Sequence, residues 1–376
     1  MTPSRDPEPL AGATGGAPPP VGRLLIIRPS ALGDVCRTVP VLASLRAAYP
    51  RATIDWLVQD TFAEAIVAHP ALTSVVPFPR ARFGWLARRL RLTEILRYLG
   101  ELRRARYDLV IDCQGLARSG IFAWATRSAR RVGYANSPEA AWLAYTDRVH
   151  ADLSMHAVDR MLALVRAIGV PVTADMRLFA PARALEMIDR DPVLREPFMV
   201  VAPTSRWPGK RWPPERFVEV IHRVLDAMNG TGVGAGIGRV VMVGAASERP
   251  QCALITRLAA SEPRLIDRVG ATGVGELMAL VARSSLVLGN DSAVLHMAVG
   301  FDRPIVGLYG PTHVSRVGPY GRERDVIRHV REGDRIDHKD DASGKALMDR
   351  IGVEEVAAAV IARLGSSARR PRAAGT

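Results

Sequence analysis

Leu24-Leu25-Ile26-Ile27-Arg28-Pro29-Ser30-Ala31-Leu32-Gly33-Asp34-Val35 is the stretch on which the fold turns. Four consecutive apolar residues suit a strand covered on both faces, as in a parallel sheet. Small residues follow as a loop, and an amphipathic pattern from Val35 to Tyr49 predicts a helix. Ligands in open α/β sheets bind just past the carboxyl ends of such strands. Asp34 therefore stands where chemistry is commonly done. An aspartate near a helix start is also favourable as a cap alone, and this segment leaves both roles open.

Outward from it, strand and helix patterns alternate. Strands are expected at Leu24–Arg28, Thr53–Val58, Val75–Phe78, Leu109–Cys113, Arg131–Tyr134, Phe198–Ala202, Arg239–Val243, Leu286–Gly289 and Pro304–Leu308. Helices are expected between them, including His156–Ile168, Pro214–Met228, Val274–Ala282 and a last one over Val353–Leu364. Such alternation means βαβ units and parallel sheets. The pattern runs twice, broken by a Pro-rich connection over Pro171–Pro197, and the second half restarts with strand, small-residue loop and helix. The expected architecture is two Rossmann-like domains facing each other across a central cleft. The divisions are a disordered tail at 1–21, a first domain at 22–172, a linker at 173–196, a second domain at 197–365 and a basic tail at 366–376. The last helix is available to pack back on the first domain.

Composition narrows the function classes. With 48% hydrophobic and 24% charged residues the chain reads as globular and soluble. No run approaches the roughly 20 apolar residues that span a bilayer. The Pro-, Gly- and Ala-rich start does not read as a signal peptide. Cys36, Cys113 and Cys252 lack metal or redox spacing and fit a reducing cytoplasm. A net charge of +13 points to an anionic partner: nucleic acid, a membrane surface or a phosphorylated substrate. Nine arginines fall between Arg80 and Arg106 against only Glu94 and Glu101, with Phe83, Trp85 and Leu86 interleaved. A basic helix with aromatic anchors suits a membrane interface, and a solvated helix face is the plainer alternative.

Three segments of the second half carry chemistry. Thr204-Ser205-Arg206-Trp207-Pro208-Gly209-Lys210-Arg211-Trp212 follows its first strand, and its hydroxyls, cations and backbone N–H groups make a phosphate cradle. Gly289-Asn290-Asp291-Ser292-Ala293-Val294-Leu295-His296 follows another apolar strand. The helix start there suits a diphosphate, although capping alone would explain Asp291 and a satisfied core histidine would explain His296. Glu248, after Gly244-Ala245-Ala246-Ser247, is placed to accept from a ribose diol or simply to start a helix. The glycine run Gly230–Gly238 precedes its strand, so it is a connection and no dinucleotide fingerprint. No P-loop, nucleophile elbow or His/Cys metal spacing is present.

Taken in order, six segments resemble glycosyltransferase family 9, the ADP-heptose:lipopolysaccharide heptosyltransferases. They are Ser30–Val35, Asp112-Cys113-Gln114-Gly115-Leu116, His156-Ala157-Val158-Asp159-Arg160, Thr204–Trp212, Gly289–His296 and Leu308-Tyr309-Gly310-Pro311-Thr312. The resemblance implies a GT-B fold, with the acceptor on the first domain and the nucleotide sugar on the second. It implies inverting, metal-independent transfer of heptose from ADP-heptose to a lipopolysaccharide inner-core acceptor, with no cofactor. By position, Asp34 would be the general base and Lys210 would stabilise the leaving diphosphate. Thr204, Ser205, Ser292 and Ala293 would assist, with Asp291 on the sugar or its phosphate, His296 near the diphosphate, Glu248 on the ribose and Thr272 near the adenine. Ser30, Gly33, Arg80 and Gln114 are expected on the acceptor side. The enzyme would be cytoplasmic and peripheral to the inner membrane, held by the basic first domain. Family members often carry an Arg-Glu pair where this chain has Asn136-Ser137-Pro138-Glu139, and the Arg80–Arg106 region would compensate. Two alternatives are a same-fold transferase using another nucleotide sugar or glycan acceptor, and, more remotely, a basic nucleic-acid-binding protein.

Overall fold

A computed structural model describes residues 20–89, 91–229, 237–337 and 339–367. The tails expected at 1–21 and 366–376 lie largely outside the described residues, as does most of the glycine run Gly230–Gly238.

In chain order the strands are β1 (Arg23–Ile27), β2 (Thr53–Gln59), β3 (Ser74–Phe78), β4 (Leu109–Asp112), β5 (Arg130–Tyr134), β6 (Asp147–Val149), β7 (Phe198–Ala202), β8 (Arg239–Met242), β9 (Leu265–Asp267), β10 (Leu286–Asn290), β11 (Ile305–Leu308) and β12 (Val326–Ile327). The helices are α1 (Leu32–Ala48), α2 (Arg80–Arg88), α3 (Thr93–Arg104), α4 (Ala117–Ala125), α5 (Ala157–Arg166), α6 (Ala182–Arg190), α7 (Pro214–Asn229), α8 (Ala253–Ala259), α9 (Val274–Arg283), α10 (Ala293–Gly300), α11 (Val314–Val317), α12 (Asp341–Asp349) and α13 (Val353–Ser367).

Two six-stranded sheets form, ordered β3-β2-β1-β4-β5-β6 and β12-β11-β10-β7-β8-β9, and every pairing is parallel. Each order is 3-2-1-4-5-6 in its own half, the doubly wound arrangement. The first strand of each half, β1 or β7, sits between the second and fourth of its half. The connections reverse direction there, which opens a ligand crevice at the carboxyl edge.

The chain divides into two compact units. One holds the described residues through Ser30, then Thr38–Asp60 and Ala71–Asp175. The other holds Ala31–Arg37, Thr61–Pro70 and the described residues from Met176 on. The turn that carries Asp34 thus clusters with the second unit.

Leu24 to Ile27 are fully buried, as a strand covered on both faces requires. In the first unit Leu25, Ile27, Leu57, Phe78 and Val110 build a core with Leu102, Phe122 and Tyr145. Asp55, in the middle of β2, is buried because Arg23, Ser74 and Tyr107 all donate to its carboxylate, at 2.7, 2.6 and 3.0 Å. In the second unit Met199, Val201, Val240, Met242, Leu286 and Leu288 pack with Phe217, Val220 and Val224 of α7. Helix α13, for which packing on the first domain was open, contributes Val356, Val360 and Leu364 to this second core.

Several elements differ from the sequence expectation. α1 begins at Leu32, so Asp34 lies inside its first turn instead of ahead of it. The basic run from Arg80 is two helices, α2 and α3. The connection over Pro171–Pro197 contains α6, which packs beside α9. β6, β9 and β12 are two or three residues long, too short for a period of two to register.

Gly133, in β5, shows how tightly the first sheet is packed. A Cβ there would sit 2.3 Å from the Tyr145 ring, whose hydroxyl donates to Asp112 at 2.7 Å. Gly133→Ala is expected to cost about 1–3 kcal/mol of stability through overpacking. Urea unfolding of the variant checks this, and an unchanged midpoint would contradict the packing described.

Candidate functional site

The carboxyl edge of the second sheet gathers the loops after β7, β8, β10 and β11. At their centre Lys210 Nζ meets Asp291 Oδ2 at 2.6 Å, with side chains only 14% and 10% exposed. Thr312, after β11, donates to the same Oδ2 at 2.8 Å. Ser205 donates its hydroxyl to the Asp291 carbonyl at 3.4 Å. Burial pushes the Asp291 carboxyl up, but the Lys210 ammonium, His296 and the Thr312 hydroxyl outweigh it and hold the group below the usual carboxylate range.

The loop after β7 is held by its neighbours. Asn290 donates to the Pro203 carbonyl at 2.7 Å and accepts from the Trp212 N–H at 3.2 Å. Trp212 is buried and donates its ring N–H to the Ile351 carbonyl at 3.0 Å. Arg211 donates to the Ser205 carbonyl at 2.8 Å. A short helical turn, Pro208–Lys210, aims the lysine inward.

Asp291 does not cap α10; Ser292 occupies the cap position, and its side chain makes no cap hydrogen bond. Among the described residues the Ser292 hydroxyl is buried without a hydrogen-bond partner. A buried unsatisfied hydroxyl costs free energy. Beside the open N–H groups of a helix start and a lysine, it suits an anion. Glu248 Oε2 accepts from Thr204 at 2.8 Å and from the Ala245 N–H at 2.9 Å, so its helix-start role is real. Thr272 is half-buried ahead of α9, where Glu64 Oε2 accepts from the Gly275 N–H at 2.8 Å.

The turn Ala31–Arg37 rests against the start of α10. A Cβ on Gly33 would come within 2.8 Å of the His296 ring and 3.3 Å of Ala293 Cα, so only glycine permits that approach. Asp34 accepts from the Ala31 N–H at 3.3 Å through Oδ2 and from Arg37 through Oδ1. It therefore caps α1, as its alternative role foresaw. Arg37 also donates to the Val317 carbonyl at 2.7 Å, which fixes its guanidinium.

In the first unit Gln114 Oε1 accepts from the Ser30 N–H at 3.3 Å, so two of the expected acceptor-side residues meet. Asp112 Oδ1 accepts from the Gln114 and Gly115 N–H groups at 2.8 and 3.1 Å, which shapes the loop that presents Gln114. Arg80 opens α2 and has no hydrogen bond or ion pair among the described residues. No group of three or more His, Cys, Asp or Glu side chains is placed to hold a metal among the described residues.

Residues 95–346 match the model of glycosyltransferase family 9 (heptosyltransferase). The chain belongs to that family. It is 30% identical to lipopolysaccharide heptosyltransferase 1 of Pseudomonas aeruginosa, over 80% of this chain and 82% of that protein. Identity to lipopolysaccharide heptosyltransferase 1 of Escherichia coli K12 is 28%, over 82% and 94%. Among solved structures, E. coli ADP-heptose lps heptosyltransferase II superposes with a TM-score of 0.73 at 21% identity, covering 91% of this chain and 98% of that one. E. coli heptosyltransferase WaaC with ADP superposes with a TM-score of 0.72 at 24% identity, covering 91% and 99%. The GT-B expectation is borne out, and the family 9 chain is a glycosyltransferase, which sets aside the nucleic-acid-binding alternative.

Three site residues escaped the sequence reading. Arg37 lies one helical turn from Asp34, a spacing that permits a side-chain pair. Thr312 lay within a recognised motif but without a role. Asn290 lay within the segment Gly289–His296 but without a role, and only the folded loop reveals that it ties the end of β10 to the Pro203–Trp212 loop.

The lysine–aspartate pair has a pH signature. Asp291 is held below its ordinary value, so its contribution to stability is present above about pH 4 and is lost as pH falls through the lowered value. In Lys210→Met, burial of Asp291 is less opposed and its carboxyl rises. The variant is expected to lose about 3 kcal/mol at pH 7, with the gap to the parent narrowing toward pH 4. Urea unfolding at both pH values checks this; a pH-independent gap would contradict it.

Proposed function

We propose that this family 9 enzyme transfers heptose from ADP-heptose to a lipopolysaccharide inner-core acceptor, with inversion, without a metal, and with Asp34 as the base. The observation that carries the reading is the seating of the Asp34 turn against the start of α10, through Gly33, beside the anion-suited group of Lys210, Ser292 and the α10 N–H groups. Direct displacement needs a base and a leaving-group site on opposite sides of the anomeric carbon, and in this reading the sugar would sit between Asp34 and that group. The relatives named as lipopolysaccharide heptosyltransferases supply the sugar and acceptor class.

In this reading the acceptor hydroxyl oxygen attacks the anomeric carbon from the face opposite the diphosphate. Asp34 takes the hydroxyl proton. The bond from the anomeric carbon to the diphosphate oxygen breaks, and its electron pair leaves with ADP. Lys210, Ser292, Thr204, Ser205 and the Ala293 backbone N–H would stabilise the charge that develops there. Donor binding would draw Lys210 partly from Asp291 to phosphate, leaving Asp291 bonded to Thr312 and free to meet the sugar. His296 would lie by the diphosphate, Glu248 would offer Oε1 to the ribose, and Thr272 would lie near the adenine. Arg37 is a positioning residue, clamping the Asp34 carboxylate between its own guanidinium and the Ala31 N–H.

The acceptor would rest on Ser30, Gly33 and Gln114, with Arg80 on an acidic group. The division into an acceptor domain at 22–172 and a donor domain at 197–365, joined by 173–196, is retained as part of this reading. The enzyme would work in the cytoplasm at the inner membrane surface, drawn there by the arginines of α2 and α3. No described helix is long and apolar enough to cross a membrane.

Asp34→Asn is expected to lower turnover by roughly 10²–10⁴-fold while ADP-heptose affinity stays near that of the parent. Single-turnover kinetics and calorimetry check this, and near-parent turnover removes Asp34 as the base. Stability shifts with ADP, UDP and GDP sugars identify the donor, since only a bound ligand raises the unfolding midpoint. The anomeric configuration of the product tests inversion, and turnover in excess chelator tests metal independence.

A further inference from the structure

Eleven large apolar side chains are exposed among the described residues, and seven fall in one layer of the first unit. They are Trp85 on α2, Leu92 and Leu96 at α3, Ile121 and Trp124 on α4, and Trp142 and Leu143 on the turn Ala141–Ala144. The inner faces of these four elements share one core. Phe83, Leu102, Phe122 and Ala144 all pack on the side of the first sheet marked by Leu25 and Ile27, which alternate onto the same face. Their outer faces therefore look out together.

Between α4 and the turn Ala141–Ala144 lies a cavity of about 300 Å³, lined by Gly120, Ile121, Trp124, Ala140 and Leu143. Its one charged lining residue, Glu139, directs its carboxylate to the Ala117 N–H at 3.1 Å. Ile121 is 51% exposed, Trp124 49% and Leu143 63%. Burying such a cluster is favourable, so it is costly to leave wet without a partner.

Charge identifies the partner. Arg127 stacks on Trp124 at 4.4 Å and Arg148 on Trp142 at 4.7 Å, while Arg118 lies 5.8 Å from the Phe78 ring. None of the three has an acidic partner among the described residues. From Ala117 to Arg148 there are five arginines and two acids. Tryptophan with arginine, an apolar body under a cationic rim, is the composition of a lipid headgroup boundary. A second copy meeting this face symmetrically would bring arginine against arginine.

We propose that this layer docks on an anionic lipid bilayer, that the groove between α4 and the turn takes an acyl chain of a phospholipid, and that Arg118, Arg127 and Arg148 meet headgroup phosphates. The inference deepens the proposed action on a lipid-linked acceptor and rests on that reading. It also extends the contact from the arginine run of α2 and α3 to α4 and the turn after it, where the acyl-chain groove lies.

Sedimentation of the full chain with vesicles, without donor or acceptor, tests the surface separately from catalysis. The parent is expected to sediment with phosphatidylglycerol-containing vesicles and to stay in the supernatant when the vesicles are pure phosphatidylcholine. The exposed-site double variant Ile121→Ser/Leu143→Ser should lose about tenfold or more in partitioning with an unchanged melting temperature. Arg127→Ser/Arg148→Ser should reduce the preference for anionic vesicles and its salt sensitivity. A parent that binds neither vesicle overturns the proposal. So does an Ile121→Ser/Leu143→Ser variant that binds anionic vesicles as well as the parent. A dimer abolished by that variant, with vesicle binding unaffected, would assign the face to a second copy and likewise overturn it.

Discussion

A parallel strand buried on both faces can carry a polar group along its length only with a full set of partners, as Asp55 has in β2, so the chemistry-bearing residues of this protein gather where the strands end. β7 and β10 are apolar along their buried lengths, as β1 is from Leu24 on, and the polar residues that follow appear at or just past the carboxyl ends. There the backbone still offers unpaired N–H groups and the helices that follow begin. The buried pair of Lys210 and Asp291 exists because the loops after β7 and β10 emerge side by side. Each partner alone would be an uncompensated charge in a half-dry setting. Together, with Thr312, they form a group that an incoming anion can rearrange.

The same constraint explains Asp34. As the third residue of α1 it caps its own helix and accepts from Arg37, which a structural aspartate would also do. The proposal that it does more rests on Gly33, whose missing side chain lets the turn close onto Ala293 and His296. A helix cap needs no such approach. The cap and the proposed base are compatible: Ala31 and Arg37 orient the carboxylate, while the neighbouring Gly33 seats the turn at the start of α10.

Legibility in the sequence tracked length and periodicity. The long apolar strands, the repeated strand-loop-helix order and the motifs at strand ends were readable, because burial imposes its pattern over several residues. β6, β9 and β12 were not, since two or three residues paired at a sheet edge leave no period. The basic run over Arg80–Arg106 read as one helix because charge repeats look alike across a break. Its apolar outer residues gained meaning only when α4 and the turn Ala141–Ala144 were found on the same side of the sheet.

By itself the sequence determined that this chain builds two doubly wound parallel sheets, and it marked the loops at their carboxyl edges. Strand burial and the order of elements are local consequences of where apolar residues fall. Tertiary structure alone decided which polar groups meet: Lys210 with Asp291 across 81 positions, Asn290 with Pro203 across 87, and Arg37 with Val317 across 280. Such pairings depend on which strands become neighbours, a choice made by packing the whole sheet and carried by no local pattern.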